Sequence, residues 1–336
     1  MAVLRNTLDA DENTTLYEWL CFWFKTYKQH KIKNTTYDDY STTIERHIAP
    51  KIGSIPLMEL TGDILQEFFN EEKASGNLVT GEAMSNKSIK NMKNVLNAAL
   101  AKAVDFDILP KNPMNTVEIL PVEKKEMIVF TIEEEEKFTN WLLERKFSGT
   151  YDFALFIALR FGLRSGEILA LTYGSFDFDA MVLRVRNRVC RVKNRNSEGG
   201  GKTFLELSSP KTRESMRDIP FTEKFAEIAK AYFKTRGAKS NIKSNYIFSS
   251  KSGDFSDPST LNKYFHTKLE ECGIKKKMRL HDLRHTFATR AIEHNVDIKS
   301  LSVILGHTSV QFTLDRYAHV LGDQKRATME TLLSDL

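Results

Sequence analysis

The chain has 336 residues, of which 41% are hydrophobic, and a chain of this length can form two ordinary domains with buried cores. Its formal net charge of +5 permits a polyanionic partner but does not require one. The three cysteines lie far apart without CxxC spacing, which argues against disulfide and zinc frameworks and favours a reducing, cytoplasmic compartment. The polar residues 1–12 do not resemble a signal peptide, and the early apolar run 16–24 is too short to cross a membrane.

The first third of the chain has the apolar spacing of amphipathic helices. Leu16, Leu20 and Phe24 recur at helical intervals behind Thr15, a favourable N-cap residue. Pro50 then interrupts the pattern before it resumes. We therefore predict four helices in this region, at 16–27, 34–47, 61–72 and 85–104.

The fourth of these helices has two contrasting faces. Its apolar stripe consists of Ile89, Met92, Leu96, Leu100 and Val104. Its opposite face carries Lys87, Lys90, Asn91 and Asn94. A solvated helix face explains this pattern, and so does a helix lying against DNA, where lysine meets phosphates and asparagine can contact base edges.

A proline-punctuated segment separates the two differently patterned parts of the chain. Pro110, Pro113 and Pro121 lie in it, and Thr131 with Glu134 then forms a capping box that begins a new helix. We predict a helical domain at 1–105, a linker at 106–127 and a second domain at 128–336, whose last helix covers 318–336.

The second domain mixes helices with strands, so the predicted fold class is α+β. Alternating residues at 181–186 indicate a strand, and 203–207 is predicted to return as its hairpin partner in a small antiparallel sheet. Six cations crowd the first strand and the turn: Arg184, Arg186, Arg188, Arg191, Lys193 and Arg195. They fit a charged edge strand, and they also fit a hairpin that tracks DNA backbone through Arg191, Lys193 and Arg195. We predict further helices at 151–161, 165–172, 222–235, 258–272, 281–294, 298–305 and 309–320.

Four segments carry residues suited to chemistry, at 162–171, 210–220, 281–289 and 305–317. Singly, each has an ordinary explanation, such as a helical ion pair between Arg164 and Glu167. His281 and His285 have the spacing of a zinc-protease helix, but Asp282 stands where such a helix carries its glutamate base. Arg284 would also oppose a metal ion, so we expect no metal site.

Together the four segments resemble the tyrosine recombinase family, in the same order and over nearly the whole second domain. The segments 36–40, 47–50 and 52–61 also resemble the core-binding domain of phage and conjugative-transposon integrases. The resemblance implies a helical, SAM-like core-binding domain followed by a mixed α/β catalytic domain. The catalytic residues that it implies are Arg164, Lys211, His281, Arg284, His307 and the nucleophile Tyr317. Glu167 and His285 correspond to supporting residues.

These residue types suit strand cleavage at an anionic phosphodiester. Arg164 and Arg284 can bind the phosphate oxygens in bidentate fashion, and His307 can add a hydrogen bond. His281 can take the phenol proton of Tyr317, and Lys211 can protonate the departing deoxyribose oxygen. Because these side chains can do the work that a metal ion does in other enzymes, we expect no metal. A covalent phosphotyrosine also conserves the energy of the broken bond, so we expect no ATP and no other cofactor.

The resemblance also implies partners. We expect double-stranded DNA, a homotetramer assembled on it and, as a candidate, an excision accessory protein. The segment 318–336 would either fold back on its own domain or pack on a neighbouring subunit. An additional N-terminal domain that binds accessory DNA arms is expected to be absent or removed. Two alternatives remain: a type IB topoisomerase that relaxes DNA, and a catalytically idle DNA-binding regulator.

Overall fold

The computed structural model describes residues 13–123, 126–194, 203–208, 216–239, 244–250 and 253–318, with positions 320, 329 and 333. The chain divides into two compact units, one of residues 1–125 with 192–196 and one of residues 126–191 with 197–336. The first unit contains the helices predicted for the first domain. The domain bounds read from the sequence remain a prediction.

Helices make up most of the described part of the first unit. Two π-helical turns, Phe24–Lys28 and Thr43–Ile48, continue the first two helices to nearly the ends expected from the sequence. The helices are α1 (Leu16–Trp23), α2 (Asn34–Thr42), α3 (Ala49–Ile52), α4 (Gly62–Ser75) and α5 (Asn86–Asp105).

Local capping and one apolar core explain these helices. Thr15 and Glu18 form a capping box at the start of α1, and Ser85 caps α5. The predicted stripe of α5 is buried as far as Leu100. The Trp19 indole Nε1 donates to the carbonyl of Ala99 at 2.9 Å, so α1 and α5 are joined by a buried hydrogen bond as well as by packing.

Part of the segment expected to be a linker belongs to this core. Leu109, Met114 and Val117 are buried against the first unit, and Pro113–Thr116 forms a 3₁₀ turn. Prolines punctuate the segment as expected, but its apolar side chains keep its first half attached to the helices. The division between the two units falls after Lys125.

The second unit begins where the capping box of Thr131 and Glu134 predicts a helix. Helix α7 is buried on all sides apart from Arg160, which is typical of a central helix. The helices of this unit are α6 (Ile132–Glu144), α7 (Asp152–Phe161), α8 (Ser165–Leu169), α9 (Glu223–Lys239), α10 (Pro258–Glu271), α11 (Leu280–Glu293), α12 (Ile298–Leu305) and α13 (310–318).

The strands correct one prediction. The strand found at 182–185 does not pair with the one at 203–208. Within the described residues the strands are β1 (Phe176–Asp177), β2 (Val182–Val185), β3 (Arg188–Lys193), β4 (Thr203–Ser208) and β5 (Arg217–Pro220). They form one antiparallel sheet in the order β1-β2-β5 and a separate pair, β3-β4. The predicted hairpin merged β2 with β3, because both alternate and only two residues separate them. The α+β fold class is confirmed.

Candidate active site

Two backbone positions shape the site before any side chain is considered. Gly162 ends α7 with φ 61°, and Gly306 ends α12 with φ 63°, a conformation that favours glycine. A Cβ on Gly162 would also lie 2.6 Å from the Phe287 ring, and one on Gly306 would lie 2.9 Å from Arg217. Each of these tight turns therefore places a backbone carbonyl group within hydrogen-bonding distance of an arginine side chain.

Two guanidinium groups converge on these carbonyls. Arg284 is buried and donates to Gly162 O at 2.8 Å and to Leu305 O at 2.6 Å. Arg164 also reaches Leu305 O, at 3.4 Å, and donates to Gly306 O at 3.1 Å, while 37% of its side chain stays exposed. Burial and the nearby Arg164 charge lower the pKa of Arg284 to about 9. Two cations this close form a site for an anion.

The buried ion pair of Glu167 and Arg217 holds the Arg164 side chain in place. Glu167 accepts from Arg164 Nη1 at 2.8 Å and from Arg217 Nη2 at 2.9 Å. Burial alone would raise the pKa of Glu167, but the Arg217 and Arg164 charges outweigh it and hold the pKa at about 2. Arg217 also donates through Nε to Ile304 O at 2.5 Å. It therefore joins β5, α8 and the end of α12.

Helix α11 places three ionisable residues on neighbouring turns. His281 and His285 lie four residues apart with ring centroids 5.0 Å apart, and Arg284 lies between them. Desolvation and the positive charges of Arg284 and Arg164 lower the pKa of His281 below its usual value. His281 remains exposed, so solvent screens part of this effect. A neutral imidazole that can accept a proton is therefore favoured at neutral pH.

Tyr317 lies on α13 with only 1% of its surface exposed. Its hydroxyl is 3.0 Å from His285 Nδ1. Burial raises the pKa of Tyr317 to about 12, although the charges of Arg284, Arg316 and Arg164 act in the opposite direction. On the preceding loop, His307 Nδ1 lies 2.8 Å from the Thr313 hydroxyl. Tyr317, the candidate nucleophile, therefore contacts the same helix, α11, that carries Arg284 of the phosphate site.

The structure brings together most of the residues named from the sequence: Arg164, Glu167, His281, Arg284, His285, His307 and Tyr317. Lys211 lies outside the described residues. Among the described residues, no group of three histidine, cysteine, aspartate or glutamate side chains could hold a metal ion.

The residues proposed to contact DNA belong to both units of the chain. Lys87, Lys90, Asn91 and Asn94 are exposed on α5, in the first unit. Arg191 lines a cleft of about 480 Å³ together with Arg164 and His281, where it pairs with Asp257 and donates to Thr203 Oγ1 at 2.7 Å. Lys193 is exposed on β3, and Arg195 lies outside the described residues.

Two residues at the site were missed in the sequence. Arg217 occupies an inward position of β5, whose burial alternates from residue to residue. A charged residue in phase with the buried Ile219 was the available signal. Arg316 lies next to Tyr317, and its Nη2 is 3.3 Å from His285 Nε2. No local pattern reveals that contact, since it joins α13 to α11.

Comparison with known proteins identifies the family. The model of the phage integrase family matches residues 129–323, which is more than half of the chain. The chain belongs to the phage integrase family. The N-terminal SAM-like domain of phage integrases also matches residues 15–72. No described helix of this integrase-family protein is long and apolar enough to span a membrane.

Relatives of this integrase-family protein carry recombinase names. A XerC-like tyrosine recombinase of Caldanaerobacter subterraneus subsp. tengcongensis is 27% identical over 98% of this chain and 85% of its own length. The ICEBs1 integrase of Bacillus subtilis is 26% identical over 90% of this chain and 78% of its own.

Solved structures show the same fold. The Tn1549 transposon integrase in complex with circular intermediate DNA superposes with a TM-score of 0.77 at 24% identity, over 95% of this chain and 99% of that one. A lambda integrase tetramer bound to a Holliday junction gives a TM-score of 0.64 at 18% identity, over 90% of this chain and 78% of that one.

Proposed function

We propose that this chain is a site-specific DNA recombinase that integrates or excises a mobile element through a covalent 3′-phosphotyrosine at Tyr317. The observation that carries the proposal is the convergence of Arg164 and Arg284 on Leu305 O, beside the buried Tyr317. Both cations currently donate to backbone carbonyls, which are weaker acceptors than a phosphate oxygen. Family membership and relatives named as integrases support the same function.

The reaction follows from the roles that these side chains can take. The Tyr317 oxygen attacks phosphorus as the bond from phosphorus to the 5′ oxygen breaks. Arg164 and Arg284 stabilise the charge that develops on the non-bridging oxygens, and His307 adds a hydrogen bond to them. His281 takes the phenol proton, and Lys211 gives one to the 5′ oxygen. Attack by a 5′ hydroxyl on the phosphotyrosine reverses these steps and joins the new strand.

Glu167 has a supporting part in this scheme. Its carboxylate is shared between Arg164 and Arg217, so it fixes the orientation of the exposed arginine before DNA arrives. Orientation of a catalytic group in advance avoids an ordering cost during the reaction.

A duplex nicked close to the cleavage site of the native element tests the function. A recombinase accumulates a covalent adduct on that duplex and exchanges strands, but forms no adduct on a scrambled duplex of the same length. Relaxation of any supercoiled plasmid would instead identify a topoisomerase. Binding of the specific duplex without an adduct under all conditions would identify a regulator and refute the proposal.

The strand β3 gives a prediction about DNA contact. We propose that Arg191, Lys193 and Arg195 bind DNA phosphates near the cleavage site. Each phosphate contact contributes about 0.9 to the slope of log affinity against log salt. Changing all three to Gln is therefore expected to flatten that slope and to slow cleavage. Filter binding over a salt series and single-turnover cleavage measure the two effects.

The control for this prediction removes three exposed lysines of α9, Lys224, Lys230 and Lys234, by the same change. The control is expected to keep the slope of the unmodified protein. If the slope and the cleavage rate survive the β3 changes as well, the cations serve the fold instead. One such structural role is the ion pair between Arg191 and Asp257, which joins β3 to the start of α10.

The C-terminal segment gives a prediction about assembly. Met329 and Leu333 are each about half exposed, and the Leu333 amide donates to Met329 O at 3.0 Å. We propose that this apolar pair packs on a neighbouring subunit and links a DNA-bound homotetramer. Contacts passed from subunit to subunit close into a ring when the rotation permits. Deletion of the residues after 322 is expected to remove multimers and to alter cleavage on suicide substrates.

A milder variant keeps this prediction free of folding effects. Met329→Ser with Leu333→Ser leaves the chain complete and removes only the apolar surface. Sedimentation of the protein on nicked DNA is expected to show loss of tetramers for both variants. Tetramers and strand exchange that persist after the deletion would contradict packing between subunits. An excision accessory protein remains a candidate partner, to be sought by adding host extract to the excision reaction.

A further inference from the structure

His285 lies between Tyr317, the candidate nucleophile, and the guanidinium group of Arg316. It is buried, with Nδ1 3.0 Å from the Tyr317 hydroxyl and Nε2 3.3 Å from Arg316 Nη2. The reaction scheme assigns no step to His285 or to Arg316. Each ring nitrogen of His285 nevertheless has a hydrogen-bond partner. The chemistry of these partners determines which nitrogen donates and which accepts.

The chemistry of the partners decides that direction. A guanidinium has only donors, so Arg316 must donate to Nε2, which must carry a lone pair. A histidine with one unprotonated nitrogen carries its single proton on the other. Nδ1–H therefore donates to the Tyr317 oxygen. Burial and the nearby His281 and Arg316 lower the pKa of His285 to about 4, in agreement with a neutral ring.

The other charged groups around His285 are committed to other contacts. Asp282 accepts from the Arg279 backbone and side chain. Arg284 donates to Gly162 O and Leu305 O. The His281 ring lies edge-on to His285 at 5.0 Å. Arg316 is thus the group whose contact with Nε2 selects the tautomer.

We propose that Arg316 is a positioning residue that, through His285, keeps a hydrogen-bond donor on the nucleophilic oxygen of Tyr317. The proposal rests on the recombinase function proposed above. An Nδ1–H donor suits the tyrosine oxygen as a phenol, as a phenolate and as a phosphate ester, because the oxygen can accept in all three. The opposite tautomer would set a lone pair against the ester oxygen.

This arrangement has a consequence for proton transfer. In this tautomer His285 has no free lone pair toward Tyr317, so it cannot take the phenol proton, which goes to another base such as His281. In the rejoining step the same N–H meets the phenolate as it leaves. A donor present in both directions favours the charged oxygen over the neutral one and so lowers the barrier to attack.

The tautomer can be observed without any DNA. Long-range ¹H–¹⁵N correlation spectra of the full chain with ¹⁵N-labelled histidine distinguish Nδ1–H from Nε2–H, and His285→Gln assigns the signal. We expect Nδ1–H in the unmodified protein, a shift toward Nε2–H in Arg316→Met, and retention of Nδ1–H in Arg316→Lys, which keeps a donor. Lys299→Met removes an exposed charge on α12 and is the matched control.

Cleavage of a nicked suicide duplex supplies the functional readout. Loss of the donor raises the pKa of Tyr317, so the rising limb of the pH–rate profile for Arg316→Met should move to higher pH. The rate at neutral pH should fall roughly tenfold to a hundredfold, the range found when a residue that orients a metal-binding histidine is removed. Arg316→Lys should recover most of this loss, and Lys299→Met should match the unmodified protein.

An Nε2–H signal for His285 in the unmodified protein would overturn the proposal. So would a tautomer and pH profile that Arg316→Met leaves unchanged. A different result separates the two proposals: an Nδ1–H signal in a protein that never forms a covalent adduct would refute the recombinase function, and with it the role of the donor, while leaving the hydrogen-bond arrangement intact.

Discussion

Replacing Tyr317 with phenylalanine is expected to abolish covalent adducts with DNA while leaving DNA binding largely intact. The change removes the one oxygen that can attack phosphorus and keeps the ring that packs against Ala288, Leu301 and Leu305. Loss of the hydrogen bond to His285 should cost about 1 kcal/mol of stability, which is the usual net value for such a bond. Denaturing gels after incubation with a nicked duplex measure adducts, and electrophoretic mobility shifts measure binding.

A second tyrosine-to-phenylalanine change provides the control. Tyr264 is half-buried in the same unit and donates to Asp152 at 2.6 Å, so Tyr264→Phe also removes one hydrogen bond of a tyrosine hydroxyl. It should leave the yield of adduct unchanged. Adducts that persist in Tyr317→Phe would show that another side chain is the nucleophile.

Replacing Arg217 with methionine is expected to destabilise the second unit by about 3–5 kcal/mol, the usual cost of removing one partner from a buried ion pair. The side chains of Arg217 and Glu167 are 2% and 6% exposed. Without Arg217 the Glu167 carboxylate loses one of its two ion-pair partners and keeps Arg164, and Ile304 O loses the donor that Arg217 supplies. Urea unfolding followed by circular dichroism measures the loss.

Two further variants show whether the stranded charge is the cause. Adding Glu167→Gln to Arg217→Met should recover part of the lost stability, because no buried carboxylate is left without its partner. Arg184→Met breaks the exposed pair with Asp177 and should cost only about 0–1 kcal/mol. Equal losses for Arg217→Met and Arg184→Met would contradict a special role for the buried pair.

The sequence predicts the helices of this protein well, because their ends depend on local chemistry. The N-cap predicted at Thr15 and the capping box predicted at Thr131 and Glu134 are both present in the structure. The apolar stripe of α5 is the face that packs. Each of these signals lies within a few residues of the feature that it determines.

Long-range pairing could not be predicted in the same way. The partner of β2 is β5, more than thirty residues further along the chain, and no turn signal joins them. The short β1 was not expected either. Arg217 acts through Glu167 and Ile304 O, which belong to different helices. Such contacts arise only when the elements pack.

The candidate site shows the same division. The motifs around Arg164, Arg284 and Tyr317 are recognisable in the sequence because residue types and order are preserved. The direction of the hydrogen bonds at His285 depends on Arg316, and its contact with α11 needs the folded unit. The sequence therefore identifies the groups, and the proton arrangement that we propose for them rests on contacts made only in the folded unit.

Direct location of the covalent bond tests the central claim. The unmodified protein is incubated with a suicide duplex of its native site, the adduct is digested with nuclease and protease, and the modified peptide is sequenced by mass spectrometry. We expect a nucleotide on the peptide that contains Tyr317, attached through a 3′ phosphate. Attachment to any other residue, or through a 5′ phosphate, would contradict the proposed mechanism.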